Sequence, residues 1–287
     1  MTKISILGCG WLGLPLAKAL LGNGFSVNGS TTTVEKISGL KNSGINPFLI
    51  NVTLSAVEGA LDSKSISGTI DSFLQKSTTL IIDIPPKLRG NAKGLSPDAS
   101  GALEKTFVKK IAILIPFIEK SSVKNVLFIS STSVYNDAEP FVTEETIPKP
   151  DTEGGKQLLE TEQLLQSNEH FKTTVLRFGG LIGEDRQPVK FLSGRENLDN
   201  PDAPINLIHQ KDCIGIILKI IENNSWNETF NAVAPSHPSR SVYYTQKAID
   251  LNLALPNFNH SKPSIGKTIL SKKIETVLGY TFTKPNL

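Results

Sequence analysis

The sequence predicts an α/β fold, a doubly wound parallel sheet, from three observations. Ile4-Ser5-Ile6-Leu7 is an apolar run of strand length, and it leads directly into Gly8-Cys9-Gly10-Trp11-Leu12-Gly13, the pattern G-x-G-x-x-G. Apolar residues then recur at helical spacing in Leu12, Leu16, Ala19 and Leu20. Further along, short strand-like runs alternate with helix-like segments, the order that builds a parallel sheet covered on both faces.

The first element is therefore strand, phosphate loop and helix, the opening of a Rossmann unit. Gly8 permits the tight turn out of the strand, Gly10 lets the backbone approach a pyrophosphate, and Gly13 lets the helix pack close to the strand. The helix start offers N–H groups and the positive end of a dipole to phosphates. Gly22-Asn23-Gly24 stops the helix, and Phe25-Ser26-Val27-Asn28-Gly29 reads as the second strand. After it comes Ser30-Thr31-Thr32-Thr33, where an Asp or Glu would bind the ribose 2′-hydroxyl and repel a 2′-phosphate. The first acidic residue is Glu35; hydroxyls with Lys36 nearby accommodate NAD or NADP and tilt the choice toward NADP.

Residues 34–43 read as a helix, 47–52 as a third strand, and 66–75 as a helix with Ile66, Ile70, Phe73 and Leu74 on one side. Thr78 to Ile84 is a buried-strand run ending at Pro85-Pro86. In such sheets ligands lie beyond the carboxyl ends of the strands, which places Asp83, Ile84 and Pro85 beside the dinucleotide. Residues 87–100 are polar and rich in Gly and Pro, the composition of a mobile loop over the site. Residues 102–120 form a helix whose Pro116 implies a kink or an irregular last turn, and 123–130 form the next strand.

Composition excludes several functions. The 287 residues carry 30 basic and 27 acidic side chains, net +3, with no dense Lys/Arg stripe of the kind that binds nucleic acid. No run approaches the roughly 18 apolar residues of a membrane span, and the apolar stretch before Cys9 is too short for a signal h-region. The two cysteines, Cys9 and Cys213, fit a reducing cytoplasm, because a disulfide at Cys9 would obstruct the loop.

The second informative place is Phe128-Ile129-Ser130-Ser131-Thr132-Ser133-Val134-Tyr135. It resembles a strand end of the extended short-chain dehydrogenases/reductases, the nucleotide-sugar epimerase and dehydratase relatives. The resemblance implies that Ser131 hydrogen-bonds the reacting oxygen. The family's acid/base pair is Y-x-x-x-K at the start of the next helix. Here Lys156 and Glu160 match that pattern, but Thr152 stands at the tyrosine position. A tyrosine beside a lysine and a nicotinamide cation can be brought toward neutrality and exchange the carbinol proton; a threonine hydroxyl cannot. Lys156 still suits the nicotinamide ribose. Tyr135, normally a packing residue there, Asp151, Glu153 and a bound water are the other conceivable proton carriers.

Three later segments extend the likeness. Leu176-Arg177-Phe178-Gly179-Gly180-Leu181-Ile182-Gly183 is similar to L-R-x-x-x-x-Y-G-P, with Ile182 replacing the tyrosine. Ile208-His209-Gln210-Lys211-Asp212 is similar to I-H-x-x-D, where both polar residues organise a helix start. Phe230-Asn231-Ala232-Val233 resembles the family's Y-N-V strand. Helices are expected over 214–221, 239–251 and 271–278.

The ordered series resembles the atypical, YeeZ-like branch of these extended reductases, within the NAD-dependent epimerase/dehydratase superfamily, which also lacks the tyrosine. The resemblance implies a Rossmann domain over 1–177 and a smaller C-terminal substrate-binding lobe over 178–287, interleaved with the first. It implies NADP or NAD held by Gly8, Gly10, Trp11, Leu12, Gly13, Ser30, Thr31, Thr32, Ile84, Pro85, Ser130 and Lys156. Ser131 and Lys156 are the catalytic candidates, with no metal. Two functions follow: an oxidoreductase or epimerase of a nucleotide-linked or related polar sugar, or a non-catalytic dinucleotide-binding redox sensor or regulator. Relatives pair through helices corresponding to 102–120 and 152–168, so an oligomer is compatible.

Overall fold

The computed structural model describes residues 1–52, 63–86 and 106–287. The loop expected over 87–100 and the first residues of the helix expected from 102 lie outside them. The chain divides into two compact units. The first comprises Met1–Val134, Pro150–Leu176 and Asn224–Thr229; the second comprises Tyr135–Lys149, Arg177–Asn223 and Phe230–Leu287.

In chain order the elements begin with β1 (Lys3–Leu7), α1 (Gly13–Gly22), β2 (Ser26–Thr31), α2 (Lys36–Asn42), β3 (Asn46–Leu49), α3 (Ser63–Leu74) and β4 (Ser77–Ile82). They continue with α4 (Thr106–Lys120), β5 (Asn125–Ser131), β6 (Phe141–Val142), α5 (Glu153–Gln166), β7 (Lys172–Phe178) and β8 (Gly180–Ile182). The rest are β9 (Leu207–His209), α6 (Gln210–Glu222), β10 (Thr229–Ala232), α7 (Arg240–Asp250), β11 (Thr268–Ile269) and α8 (Lys272–Leu278). The central sheet is parallel, with seven strands in the order β10-β7-β5-β4-β1-β2-β3.

Strand order reverses between β1 and β4, which pair in parallel with Leu7 opposite Ile82, while β1 pairs on its other edge with β2. That reversal is the switch point at which an open α/β sheet leaves a crevice beyond its carboxyl ends. Helices cover both faces, so the strands read as apolar runs: Ile4, Ile6, Ile81, Ile82, Val126 and Leu127 are all buried. Leu16 and Leu20 of α1 are fully buried beside them. The helix α4 runs through Pro116 to Lys120.

One face also buries a polar cluster. Ser5 Oγ donates to the Phe73 carbonyl at 2.7 Å, and the Ser77 hydroxyl lies 2.7 Å from Ser5 Oγ. Asn28 Nδ2 donates to the same carbonyl at 2.6 Å, while Asn28 Oδ1 accepts from Asn46 Nδ2 at 3.0 Å. Strand side chains thereby satisfy a last-turn carbonyl of α3, a group that a buried helix end otherwise leaves unpaired.

In the second unit, β8 and β9 pair in parallel, and Ile182, Ile205, Leu207 and Tyr243 form a cluster packed by Tyr244 and Leu287. The chain end is held by Asp212, in the first turn of α6. Its Oδ1 accepts from the Tyr280 hydroxyl (2.8 Å), Thr283 N–H (2.6 Å) and the Thr283 hydroxyl (2.8 Å), and its Oδ2 from Lys284 N–H (3.1 Å).

Candidate functional site

A cleft of about 230 Å³ opens beyond the carboxyl ends of β1, β2 and β4. It is lined by Leu7–Gly10, Ser30–Thr33, Lys36, Ile50–Val52, Asp83–Pro86, Thr106, Phe107 and Lys110. The glycine loop builds its floor. Gly8 holds φ at +109°, and a Cβ there would lie 2.3 Å from the Asp83 carbonyl oxygen. A Cβ at Gly13 would lie 2.1 Å from the Gly8 carbonyl oxygen, so α1 starts pressed against the loop. Gly10 has open space where its Cβ would be. A backbone bare at Gly10, before a helix whose N-cap residue makes no side-chain cap, fits a pyrophosphate.

Ser30 acts on the loop from below. It is buried, its Oγ accepts from Gly8 N–H at 2.9 Å, and its carbonyl accepts from Cys9 N–H at 2.8 Å. Thr31 is also buried, with Oγ1 accepting from Thr33 N–H at 3.1 Å. Thr32 and Lys36 are exposed at the rim. Burial, and after it the charge of Asp83, push the Cys9 thiol up to about 12, so the sulfur in the loop stays neutral. Burial also pushes the Asp83 carboxyl up to about 7, opposed by the N–H of Gly13.

The cleft brings together Gly8, Gly10, Ser30, Thr31, Thr32, Ile84 and Pro85 of the residues expected at a cofactor. Trp11, Leu12, Gly13, Ser130 and Lys156 are not among its lining residues. The Ser130 hydroxyl is buried and donates to Glu162 Oε1 at 2.5 Å. The lining includes Lys36, expected near the ribose, and also Ile50 to Val52, Thr106, Phe107 and Lys110, which were not candidates. The signal for Ile50 to Val52 was positional, since they follow the end of β3 at the same edge of the sheet.

At the second place, Ser131 ends β5 and its Oγ accepts from Ser133 N–H at 3.1 Å. Thr152, at the position of the family's tyrosine, is the N-cap of α5: its backbone is extended, and its Oγ1 accepts from Gly155 N–H at 3.1 Å. The hydroxyl oxygen is thus engaged in starting the helix. Lys156, one turn on, is exposed. A Cβ at Gly155 would lie 2.3 Å from the Ser133 carbonyl oxygen, so α5 begins in close contact with the turn that follows Ser131.

No protein-family model matches the chain. The protein YeeZ of Escherichia coli (strain K12) is 32% identical over 287 residues, covering all of this chain and 97% of that protein. The chain belongs to the YeeZ family. Solved structures share the fold. UDP-glucuronic acid 4-epimerase from Bacillus cereus, in complex with UDP-glucuronic acid and NAD, matches with a TM-score of 0.75 at 19% identity, over 98% of this chain and 94% of that one. A short-chain dehydrogenase/reductase superfamily protein from Agrobacterium tumefaciens with bound NAD matches with a TM-score of 0.72 at 15% identity, over 98% and 92%.

Within this family member, the polar residues of the second unit serve structure. The Tyr135 hydroxyl accepts from Arg177 Nη1 at 2.5 Å and lies 3.1 Å from both the Thr143 carbonyl and Asn231 Oδ1. The Arg177 guanidinium also covers the Tyr135 ring, 5.0 Å from its centroid. Burial raises the Tyr135 phenol above its ordinary range, against the pull of Arg177, so it stays protonated near neutral pH. His209 is the N-cap of α6, its Nδ1 accepting from Lys211 N–H at 3.1 Å. Burial lowers its pKa, as suits a neutral cap. Among the described residues no group of three or more His, Cys, Asp or Glu could hold a metal, and no helix is long and apolar enough to cross a membrane.

Proposed function

We propose that the chain is an oxidoreductase or epimerase that binds a nicotinamide dinucleotide and acts on a nucleotide-linked or related polar sugar in the cytoplasm. The observation that carries this is the cleft at the switch point, floored by Gly8 and Gly10 and rimmed by Thr32 and Lys36. NADP is favoured over NAD, because the rim after β2 carries hydroxyls and an ammonium, and Glu35 is not among the lining residues. The dinucleotide bound by the Bacillus cereus and Agrobacterium tumefaciens likenesses is NAD, and the first of these also holds a nucleotide sugar.

A dinucleotide bound there would supply or accept hydride. Ser131, whose oxygen is engaged by Ser133 N–H, keeps its own proton to donate to a substrate oxygen. Lys156 offers an ammonium to the ribose hydroxyls. Because a threonine hydroxyl at position 152 is too weak an acid to exchange the carbinol proton, proton transfer falls to Asp151, Glu153 or water. The second unit supplies the substrate lobe.

The test is a screen of nucleotide sugars, first by melting-temperature shift with NADPH or NADH present and then by turnover. A turned-over sugar should lose about a hundredfold in rate in Ser131→Ala with cofactor affinity unchanged. Firm cofactor binding with no sugar shifting or turning over would overturn the enzymatic reading. The capped Thr152 hydroxyl favours a second reading in that case, a non-catalytic dinucleotide sensor. Its partner response would survive Ser131→Ala and Lys156→Ala but not a bulky residue at Gly10.

A further inference from the structure

We propose that binding of a nicotinamide dinucleotide takes up one proton at Asp83, which makes Asp83 a cofactor-binding residue that works in its neutral form. The inference rests on the reading of the cleft as a dinucleotide site. Its starting point is a conflict at the head of α1. The helix start that should receive the phosphates is already addressed by this chain's own carboxyl group: Gly13 N–H hydrogen-bonds Asp83, and a Cβ on Gly13 would lie 3.1 Å from Asp83 Oδ2.

Among the described residues, the surroundings of Asp83 offer little to hold its charge. Its backbone is fixed by a hydrogen bond from Asp83 N–H to the Leu7 carbonyl at 2.9 Å, which aims β4 at the glycine loop. From that loop the facing titratable group is the Cys9 thiol, which is neutral. From α1 it is met by a backbone N–H, and the first turn of α1 carries no acidic residue. Lys36, at the start of α2, and Lys110, on α4, line the same cleft, but neither is among the groups that stabilise the carboxylate. Desolvation dominates and pushes the carboxyl up to about 7.

A dinucleotide brings two phosphate charges to this cleft. Anions sharing one poorly solvated site cannot all stay ionised, and the weakest acid among them takes the proton. Here that group is Asp83, since the phosphodiester-like pyrophosphate remains charged throughout the neutral range. Protonated, its carboxyl changes from a competitor for helix donors into a donor itself. Above neutral pH the bound state then holds one proton more than the free state, and affinity falls by up to about tenfold per pH unit.

The experiment is NADH binding to the full-length protein by titration calorimetry between about pH 6 and about pH 9, in buffers of different ionisation enthalpy. NADH is chosen because, unlike NADPH, it has no phosphate titrating in that range. The wild type should approach a tenfold loss of affinity per unit above neutrality, with close to one proton taken up at the alkaline end. Asp83→Asn should bind about tenfold or more tightly than the wild type at the alkaline end, with a flat profile. The proton count on the wild type decides the matter even if that variant fails to fold. Binding with a flat affinity and no proton uptake overturns the inference and leaves the cleft reading intact. Absence of NADH binding at every pH overturns both.

Discussion

Two helices of the first unit, α1 and α5, begin at the places where the sequence suggested chemistry, and their openings are built in opposite ways. Each starts pressed against a backbone carbonyl through a glycine, Gly13 on Gly8 and Gly155 on Ser133. At α5 the chain closes the end itself: Thr152 accepts from Gly155 N–H. At α1 the N-cap residue, Leu12, makes no side-chain cap, and the group that reaches the helix start is the Asp83 carboxyl, just past the end of β4, which burial pushes up to about 7. The start of α5 is thus capped by its own side chain, whereas the start of α1 is met by a group from elsewhere in the chain.

The largest expected effect is at Gly13. Gly13→Ala places a Cβ 2.1 Å from the Gly8 carbonyl oxygen, a backbone contact that no side-chain rotation relieves. The helix must shift, at a cost of about 3 kcal/mol, read as a lower midpoint in urea unfolding. Gly10→Ala meets nothing within 4 Å and should leave that midpoint nearly unchanged while weakening NADH binding. Equal destabilisation by both would break the claim that α1 is open specifically over Gly10.

A smaller effect concerns the carboxyl that reaches α1. The folded chain holds the Asp83 proton up to about pH 7, while an unfolded chain releases it in the ordinary carboxylate range. Between those values the folded state binds more protons, so its stability falls as pH rises and levels off once Asp83 ionises in the folded protein. The contribution is complete at low pH and lost by about neutrality. Asp83→Asn, neutral throughout, should gain a few degrees in melting temperature relative to the wild type between about pH 4 and about pH 8. A constant difference would mean that Asp83 is better solvated than its position indicates.

The sequence made α1 legible and α5 only half so, for a physical reason. G-x-G-x-x-G after an apolar strand reports backbone demands, the positive φ of Gly8 and the close approach at Gly13, which only a missing side chain meets. Thr152 and Lys156 were found by alignment to a family pattern, and spacing alone could not say whether the threonine hydroxyl was free. The same limit applies at Ser30 and Ser130. Both lie where cofactor contacts were expected, yet one hydroxyl holds the loop and the other is buried on Glu162. Asp83 was placed by the strand-end rule, but its raised pKa comes from burial, which the sequence around it does not report.

The smallest effect tests α5 directly. Thr152→Ala removes the cap and should cost about 1 kcal/mol, while Thr152→Ser keeps an oxygen in place and should cost much less. Neither should alter NADH affinity, since the capping bond runs from Thr152 to its own helix and Thr152 is not among the residues lining the cleft. A Thr152→Ala protein that lost affinity along with stability would show the Thr152 hydroxyl itself to be part of the ligand site. The division between a self-capped helix start and an open one would then have to be abandoned.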